Sequence, residues 1–146
     1  MVFFGIDPGL HGAIACLDAR GVPSNLIDMP LSNGWYDVLD IFRELTRPFP
    51  DSVIGLEAVY RFPKVTRGFG LLEGVAVLVP HAKVIKIPPR RWQKWWGIKK
   101  ADKELSRKLA MKHFPGYIDE LSRKKDHNRA EALLIAEYTR KNHNAY

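Results

Sequence analysis

The chain opens as a series of short apolar runs that break off sharply, and closes as long stretches with helical spacing. Residues 2–6, 13–18 and about 22–28 read as strands, with Arg20-Gly21 turning the second into the third. Strands joined this closely form an antiparallel meander. Residues 30–34 read as a loop. In 35–45, Val38, Ile41, Phe42 and Leu45 recur at helical intervals and stop before Pro48 and Pro50. Residues 52–57 are another short apolar run, 58–70 a basic-aromatic loop, 71–78 a helix, and 83–87 a strand closed by Pro88-Pro89. From there the pattern is helical over 90–96, 101–114 and about 126–141. Three strands, a helix, a strand, a helix, a strand and then helices predict an α/β protein.

Two of the apolar runs end in an acid. Phe3-Phe4-Gly5-Ile6 runs into Asp7, and Val53-Ile54-Gly55-Leu56 into Glu57. A carboxylate at the end of a buried strand is costly to desolvate unless something compensates it. Asp7 precedes Pro8-Gly9, so a hairpin whose turn N–H groups satisfy the acid is the plain structural alternative. In α/β sheets ligands gather at strand ends, and if the two strands are parallel neighbours their acids lie side by side. A third acid sits on the last helix, where Leu134, Ile135 and Tyr138 share one face and Glu131 falls within it. Arg129 projects about 160° away, too far around to neutralise Glu131 on that face, by the 100° advance per residue. Asp126 is off the stripe but reaches inward if it caps the helix, and capping alone also explains it.

Carboxylates without local cations call for a hard divalent ion, and oxygen-only ligands select Mg²⁺ or Mn²⁺. Such ions activate water for in-line attack on a phosphodiester. The Gly-rich loop with Lys-Ser/Thr that cradles nucleotide phosphates is missing, so no nucleotide cofactor is expected.

Charge points to the same substrate. Net charge is +7, but residues 1–60 hold 3 Lys and Arg against 8 Asp and Glu, and residues 61–146 hold 20 against 8. An acidic first half beside a basic second half suits a cation site next to a polyanion surface. Arg91 and Lys94 lie in a stretch interleaved with three tryptophans, which are better suited to the core than to stacking. Lys100, Lys103 and Arg107 share a helical face. Lys124 and Lys125 lead into Asp126, and Lys64 follows Tyr60 and Phe62, whose rings suit unpaired bases. The length fits one domain, 1–146, able to bury roughly two-thirds of its unfolded surface. Lone Cys16 reads as a core residue in a reducing compartment. With no export leader or membrane-length apolar run in view, a cytoplasmic protein is expected.

Gly5-Ile6-Asp7-Pro8-Gly9, Phe69-Gly70-Leu71-Leu72-Glu73-Gly74, Pro89-Arg90-Arg91-Trp92-Gln93-Lys94 and 124–136 (KKDHNRAEALLIA) follow one another in an order that resembles the RuvC-type Holliday junction resolvases, closest to their phage and chloroplast branch. The resemblance covers nearly the whole chain. It implies an RNase H-like fold: a mixed five-stranded sheet with an antiparallel three-strand meander and helices on both faces. It implies a metal-dependent endodeoxyribonuclease of bacterial or phage-infected cells, a homodimer that cuts opposed strands of a four-way DNA junction symmetrically. Asp7, Glu57, Asp126 and Glu131 would be the catalytic, metal-binding acids, and Tyr60 would stack at the junction. Asn128 stands three before Glu131, where the better-known bacterial members carry an acid, so the fourth ligand is Asp126, His127 or absent. An apolar face over 71–78 is the candidate dimer contact. Competing readings are an actin-like ATPase or sugar kinase lobe, for which 146 residues are too few, a junction-binding module without catalysis, and another RNase H-like nuclease.

Overall fold

The computed structural model describes residues 1–47, 51–99 and 102–146. The sheet is built from β1 (Val2–Asp7), β2 (Ala13–Leu17), β3 (Pro23–Asp28), β6 (Ser52–Glu57) and β7 (Ala82–Ile87), in spatial order β3-β2-β1-β6-β7. β1, β2 and β3 pair antiparallel, as the close spacing of their runs predicts. β6 pairs parallel with β1, and β7 parallel with β6. The first and fourth apolar runs of the sheet are therefore neighbours running the same way.

Alternation along the central strands sorts the molecule into two layers. Val2, Phe4, Ile6, Ile54 and Leu56 face α1 (Val38–Thr46) and α2 (Pro63–Val77). Phe3, Val53, Ile85 and Ile87 face the other way, toward α3 (Pro89–Trp95), α4 (Lys103–His113), the short α5 (Ile118–Leu121) and α6 (His127–Asn142). Asp7 and Glu57 share the parity of Phe3 and Val53, so both acids point to the α6 side.

Two glycines let α6 settle onto that face. Gly5 and Gly55 stand opposite each other in the β1–β6 register. A methyl group at Gly5 would overlap the backbone of Ala132 and Ala136, and one at Gly55 would overlap the Thr139 hydroxyl. The helix thus lies directly on bare strand backbone. α3 and α4 cover it from outside, which is why Ala132 to Thr139 are all buried, not only one stripe.

Three local readings differ. Residues 30–34 are not plain loop: β4 (Leu31–Ser32) and β5 (Trp35–Tyr36) form a small hairpin. Its turn is Asn33-Gly34, both at positive φ, the pairing that a type I′ turn requires. Consequently α1 begins later than 35, at Val38, with Asp37 accepting the Asp40 N–H as its cap. The basic-aromatic segment is also largely helical, because Pro63 sits in the first turn of α2, where its missing N–H costs nothing. Among the described residues, no helix is long and apolar enough to cross a membrane.

Candidate active site

Three carboxylates lie near the strand ends, close enough to feel one another's charge. Asp7 closes β1 and Glu57 closes β6, one residue beyond the paired Ile6 and Leu56, on strands about 4.8 Å apart. Glu131 comes down from the first turns of α6, which the glycine pair holds against those strands. Asp7 and Glu57 are buried, 6% and 8% exposed, and Glu131 is half-buried. Among the described residues no hydrogen bond from the Pro8-Gly9 turn reaches the Asp7 carboxylate; that turn closes on itself through Gly12 N–H and the Gly9 carbonyl, 3.0 Å. Arg129 pairs instead with Asp28, at 2.6 and 2.9 Å, in keeping with its place on the far side of the helix.

The trio is electrostatically unsettled. Burial lifts the Asp7 carboxyl well above its usual range, and the charges of Glu131 and Glu57 add to the rise, with Lys103 opposing. Burial also pushes Glu57 up to about 7, against the hydrogen bond it receives from Trp92. Glu131 rises to about 7 through burial and then the Glu57 charge, while Lys103 and Ser106 pull it back. With Glu57 raising Glu131, and both raising Asp7, the site is short of positive charge.

Asp126 is not brought into this group. It is 2% exposed, and its oxygens are taken by Arg123: backbone N–H at 2.9 Å, Nε at 3.1 Å and Nη2 at 2.9 Å. Burial would raise it, but those bonds hold it below the usual carboxylate range. It ends the 3₁₀ turn Lys124–Asp126 that leads into α6, where its carboxylate accepts the Arg123 N–H and its own N–H bonds to the Arg123 carbonyl at 2.9 Å; as the residue before α6 it makes no side-chain cap bond to that helix. His127 bonds through Nδ1 to the Lys124 carbonyl, 3.2 Å. Asn128 donates to the His11 carbonyl, tying α6 to the turn that follows Asp7.

Oxygen-only donors with unrelieved mutual repulsion fit a hard divalent cation by chemistry. By geometry the site is open. Among the described residues no three His, Cys, Asp or Glu side chains already close around one point.

The sequence reading passed over three contributors. Trp92, fully buried, donates its indole N–H to Glu57 Oε2 at 2.5 Å. Ser106 faces Glu131 from α4. Tyr36, on the overlooked hairpin, is buried with its hydroxyl near the Gly9 backbone and within the field of Asp7. Asn33-Gly34 was the signal for that hairpin; nothing local in the sequence ties Trp92 or Ser106 to an acid.

Basic and aromatic groups flank the acids. A cleft of about 1080 Å³ beside the end of β6 is lined by Tyr60, Arg61, Arg90, Gln93, Lys94 and Lys99, with Pro88, Pro89 and Ile98 among its apolar walls. Tyr60 is 65% exposed. A smaller one of about 550 Å³ is lined by Lys103, Glu104, Lys124, Lys125 and His127. Lys64 is exposed in the first turn of α2, and Arg91 is exposed over the Tyr146 ring, 5.3 Å away. Arg107 does not stand free beside Lys103: its side chain is 12% exposed and reaches Glu104 at 3.4 Å. Lys100 lies outside the described residues. As the packing argument expects, Trp92 is core and Trp96 is half-buried, its indole bonded to the Leu134 carbonyl; Trp95 is 45% exposed.

The fold matches solved structures. T. thermophilus RuvC in complex with a Holliday junction substrate superposes with a TM-score of 0.66 over 99% of this chain and 96% of that one, at 17% sequence identity. The architecture is therefore the RuvC-type, RNase H-like fold: a mixed five-stranded sheet with helices on both faces. At that identity the likeness speaks for the fold and not for a phage or chloroplast branch of it. No protein-family model and no curated protein matches the sequence.

Proposed function

We propose that the chain, as one domain over 1–146, is a structure-selective endodeoxyribonuclease that resolves four-way DNA junctions by metal-dependent phosphodiester hydrolysis. The observation that carries this reading is the convergence of Asp7, Glu57 and Glu131, three mutually repelling acids, at one strand edge of a RuvC-type fold. These three hold the divalent cation, Mg²⁺ with Mn²⁺ as a substitute; Asp126, engaged by Arg123, organises the turn that leads into α6. When bound, the ion supplies Lewis-acid activation of water and stabilisation of the leaving oxygen.

The protein's own groups supply the rest. Lys103 brings a positive charge to the same edge, where it offsets the repulsion felt by an approaching phosphate. Lys124 and Lys125 extend that positive surface, and Lys64, Arg91 and Lys94 do so on the Tyr60 side. Tyr60 offers an exposed ring for an unstacked base. Lys100 and Arg107 complete the DNA surface read from the sequence; of these Arg107 acts first as a packed ion-pair partner of Glu104.

A four-way junction has two opposed strands to cut, and one chain offers one set of acids, so paired symmetric cuts require a two-fold homodimer. Of the 71–78 stretch, Leu72 and Val75 are taken into the core, which leaves Val77 at the end of α2, 62% exposed, and the capping Leu78, 69% exposed, as the apolar surface available for it. The motif likeness to the phage and chloroplast branch belongs to this proposal as well.

A labelled immobile junction incubated with Mg²⁺, beside plain duplex and an RNA–DNA hybrid, tests the assignment. Paired nicks in the junction alone support it. Preferential cleavage of the hybrid replaces it with another RNase H-like nuclease. Tight junction binding without cleavage in either metal would leave a silent binding module, a reading favoured by the open geometry of the acids. Light scattering together with cleavage of a supercoiled cruciform plasmid tests the dimer, since a monomer gives only nicked circles.

A further inference from the structure

The cleft beside the end of β6 has a chemistry that the acids do not explain. Pro88, Pro89 and Ile98 give its roughly 1080 Å³ apolar walls, on the scale of a small-molecule site. Arg61, Arg90, Lys94 and Lys99 line it too, all of them exposed, and no acid does. Tyr60 is 65% exposed, yet its ring is braced edge-on by buried Phe69, with centroids 5.1 Å apart and planes at 72°. The α3 side is held in place from behind. Trp92 donates to Glu57, and the Trp96 indole to the Leu134 carbonyl at 3.0 Å. Between them stands Gln93, half-buried. Its backbone carbonyl accepts the Ile98 N–H at 2.8 Å, while its side-chain amide has no hydrogen-bond partner among the described residues.

These groups match the parts of one nucleotide. Cations take phosphates, and a braced aromatic ring takes the face of a base. The pairing edge of a base sets a donor beside an acceptor, and an amide offers both together. In a duplex that edge is already occupied, so the occupant is unpaired. An acidic peptide would engage the cations but leave the ring and the amide idle. We propose that this cleft binds one unpaired nucleotide of a DNA strand, its base stacked on Tyr60 and its pairing edge held by Gln93. The proposal rests on the reading of the chain as an enzyme of DNA, and adds a base-holding site distinct from the acids. Because an amide can turn either way, Gln93 accepts every base: the cleft holds a base without choosing it.

Short abasic strands carrying a single central thymine or cytosine, beside the wholly abasic strand, test this. Binding is read by fluorescence anisotropy at low salt in EDTA. The wild type should bind either one-base strand about 5–100-fold more tightly than the abasic one, and Tyr60→Ala should erase most of that advantage. Gln93→Glu keeps the side-chain shape but cannot donate. It should weaken binding of thymine, whose one donor lies between two acceptors, about tenfold more than that of cytosine, whose amino group a carboxylate accepts. Lys94→Ala should weaken all three strands alike and lower the slope of log affinity against log salt by about 0.7. Equal wild-type affinity for all three strands would mean that charge alone binds, and would overturn the proposal without recourse to any variant. A uniform loss in Gln93→Glu would also overturn it. The two readings fail separately. A four-way junction left uncut under Mg²⁺, while the one-base strands keep this order, removes the resolvase and keeps the cleft. Paired junction cuts by a protein that treats the three strands alike do the opposite.

Discussion

Helix α6 carries two inward acids with opposite fates. Glu137, in its second half, is 1% exposed and fully answered: Arg140 reaches its two oxygens at 2.7 Å each, and His113 Nε2 lies 3.7 Å away. Glu131, six residues earlier, meets Glu57 and Asp7 instead, and rises to about 7. The same residue type on the same helix is a structural ion pair at one end and an acid set among like charges at the other. Burial alone therefore does not mark a functional acid; burial among like charges does. Asp126 falls on the structural side, with Arg123 as its Arg140.

That contrast can be broken most forcefully at the trio. Asp7→Asn or Glu57→Gln should cut junction cleavage by about a thousandfold, the several kcal/mol that a catalytic ion supplies. Junction binding should hold or tighten, because a repelling charge is gone, and the metal-free melting temperature should not fall. Full turnover in Asp7→Asn under Mg²⁺ would end the metal-nuclease reading. Glu137→Ala should do the reverse. It leaves Arg140 without its partner and costs about 3 kcal/mol of stability, while activity per folded molecule is retained. Denaturant unfolding and single-turnover cleavage of the same two preparations make the comparison.

Mg²⁺ sharpens the difference next. An ion bound only by the folded state adds about 2.7 kcal/mol at one hundred times its Kd. The wild type and Glu137→Ala should gain it, and Asp7→Asn should not; an equal gain in Asp7→Asn would place the ion elsewhere.

pH gives a smaller and directional effect. Folding raises Glu57 and Glu131 from 4.5 to about 7, so the folded state binds protons more tightly than the unfolded chain. Their influence makes metal-free stability fall as pH rises from about 4.5 to 7. Saturating Mg²⁺ should flatten or reverse that slope, since the ion binds the deprotonated acids. Asp126 behaves oppositely: its lowered pKa contributes stability above its ordinary 3.8 that disappears as pH falls through its folded value. Urea midpoints at pH 5, 6, 7 and 8 would show whether the slopes with and without Mg²⁺ separate, and midpoints at pH 2 to 4 whether Asp126→Asn removes the acid-side loss.

The smallest effect is expected from Asp126→Asn. Asn still accepts the Arg123 N–H, and the Arg123 side chain is 54% exposed, so the cost is below about 1 kcal/mol and cleavage is nearly unchanged. Loss of cleavage at an unaltered melting temperature would instead make Asp126 a ligand.

The strands were legible because each is a short apolar run with a turn signal at its end, and Asp7 and Glu57 stood out for interrupting two of them. Glu131 was legible from the helical wheel, which also correctly sent Arg129 elsewhere. The β4–β5 hairpin was missed although Asn33-Gly34 announced it, since two-residue strands carry no visible period. Asp126 was ambiguous in sequence, where capping and ligation use the same residue type; the structure gives its oxygens to Arg123, and no side-chain bond from it caps α6. Glu137 and Arg140, three residues apart, advertised their pairing locally but looked like any surface couple, because nothing in the sequence says that α3 and α4 will cover that side of the helix.

The sequence by itself determined which segments become the five strands of the main sheet, that two of them end in acids, and that a third acid shares the inward face of the last helix. Those are local facts of period and polarity. What only the tertiary structure decided is which acids meet. Parallel pairing of β1 and β6 sets Asp7 beside Glu57, and the facing glycines Gly5 and Gly55 let α6 approach closely enough to add Glu131. The hydrogen bond from Trp92 to Glu57 spans 35 residues of chain. Contacts at that separation are fixed by how layers stack, and no local pattern encodes them.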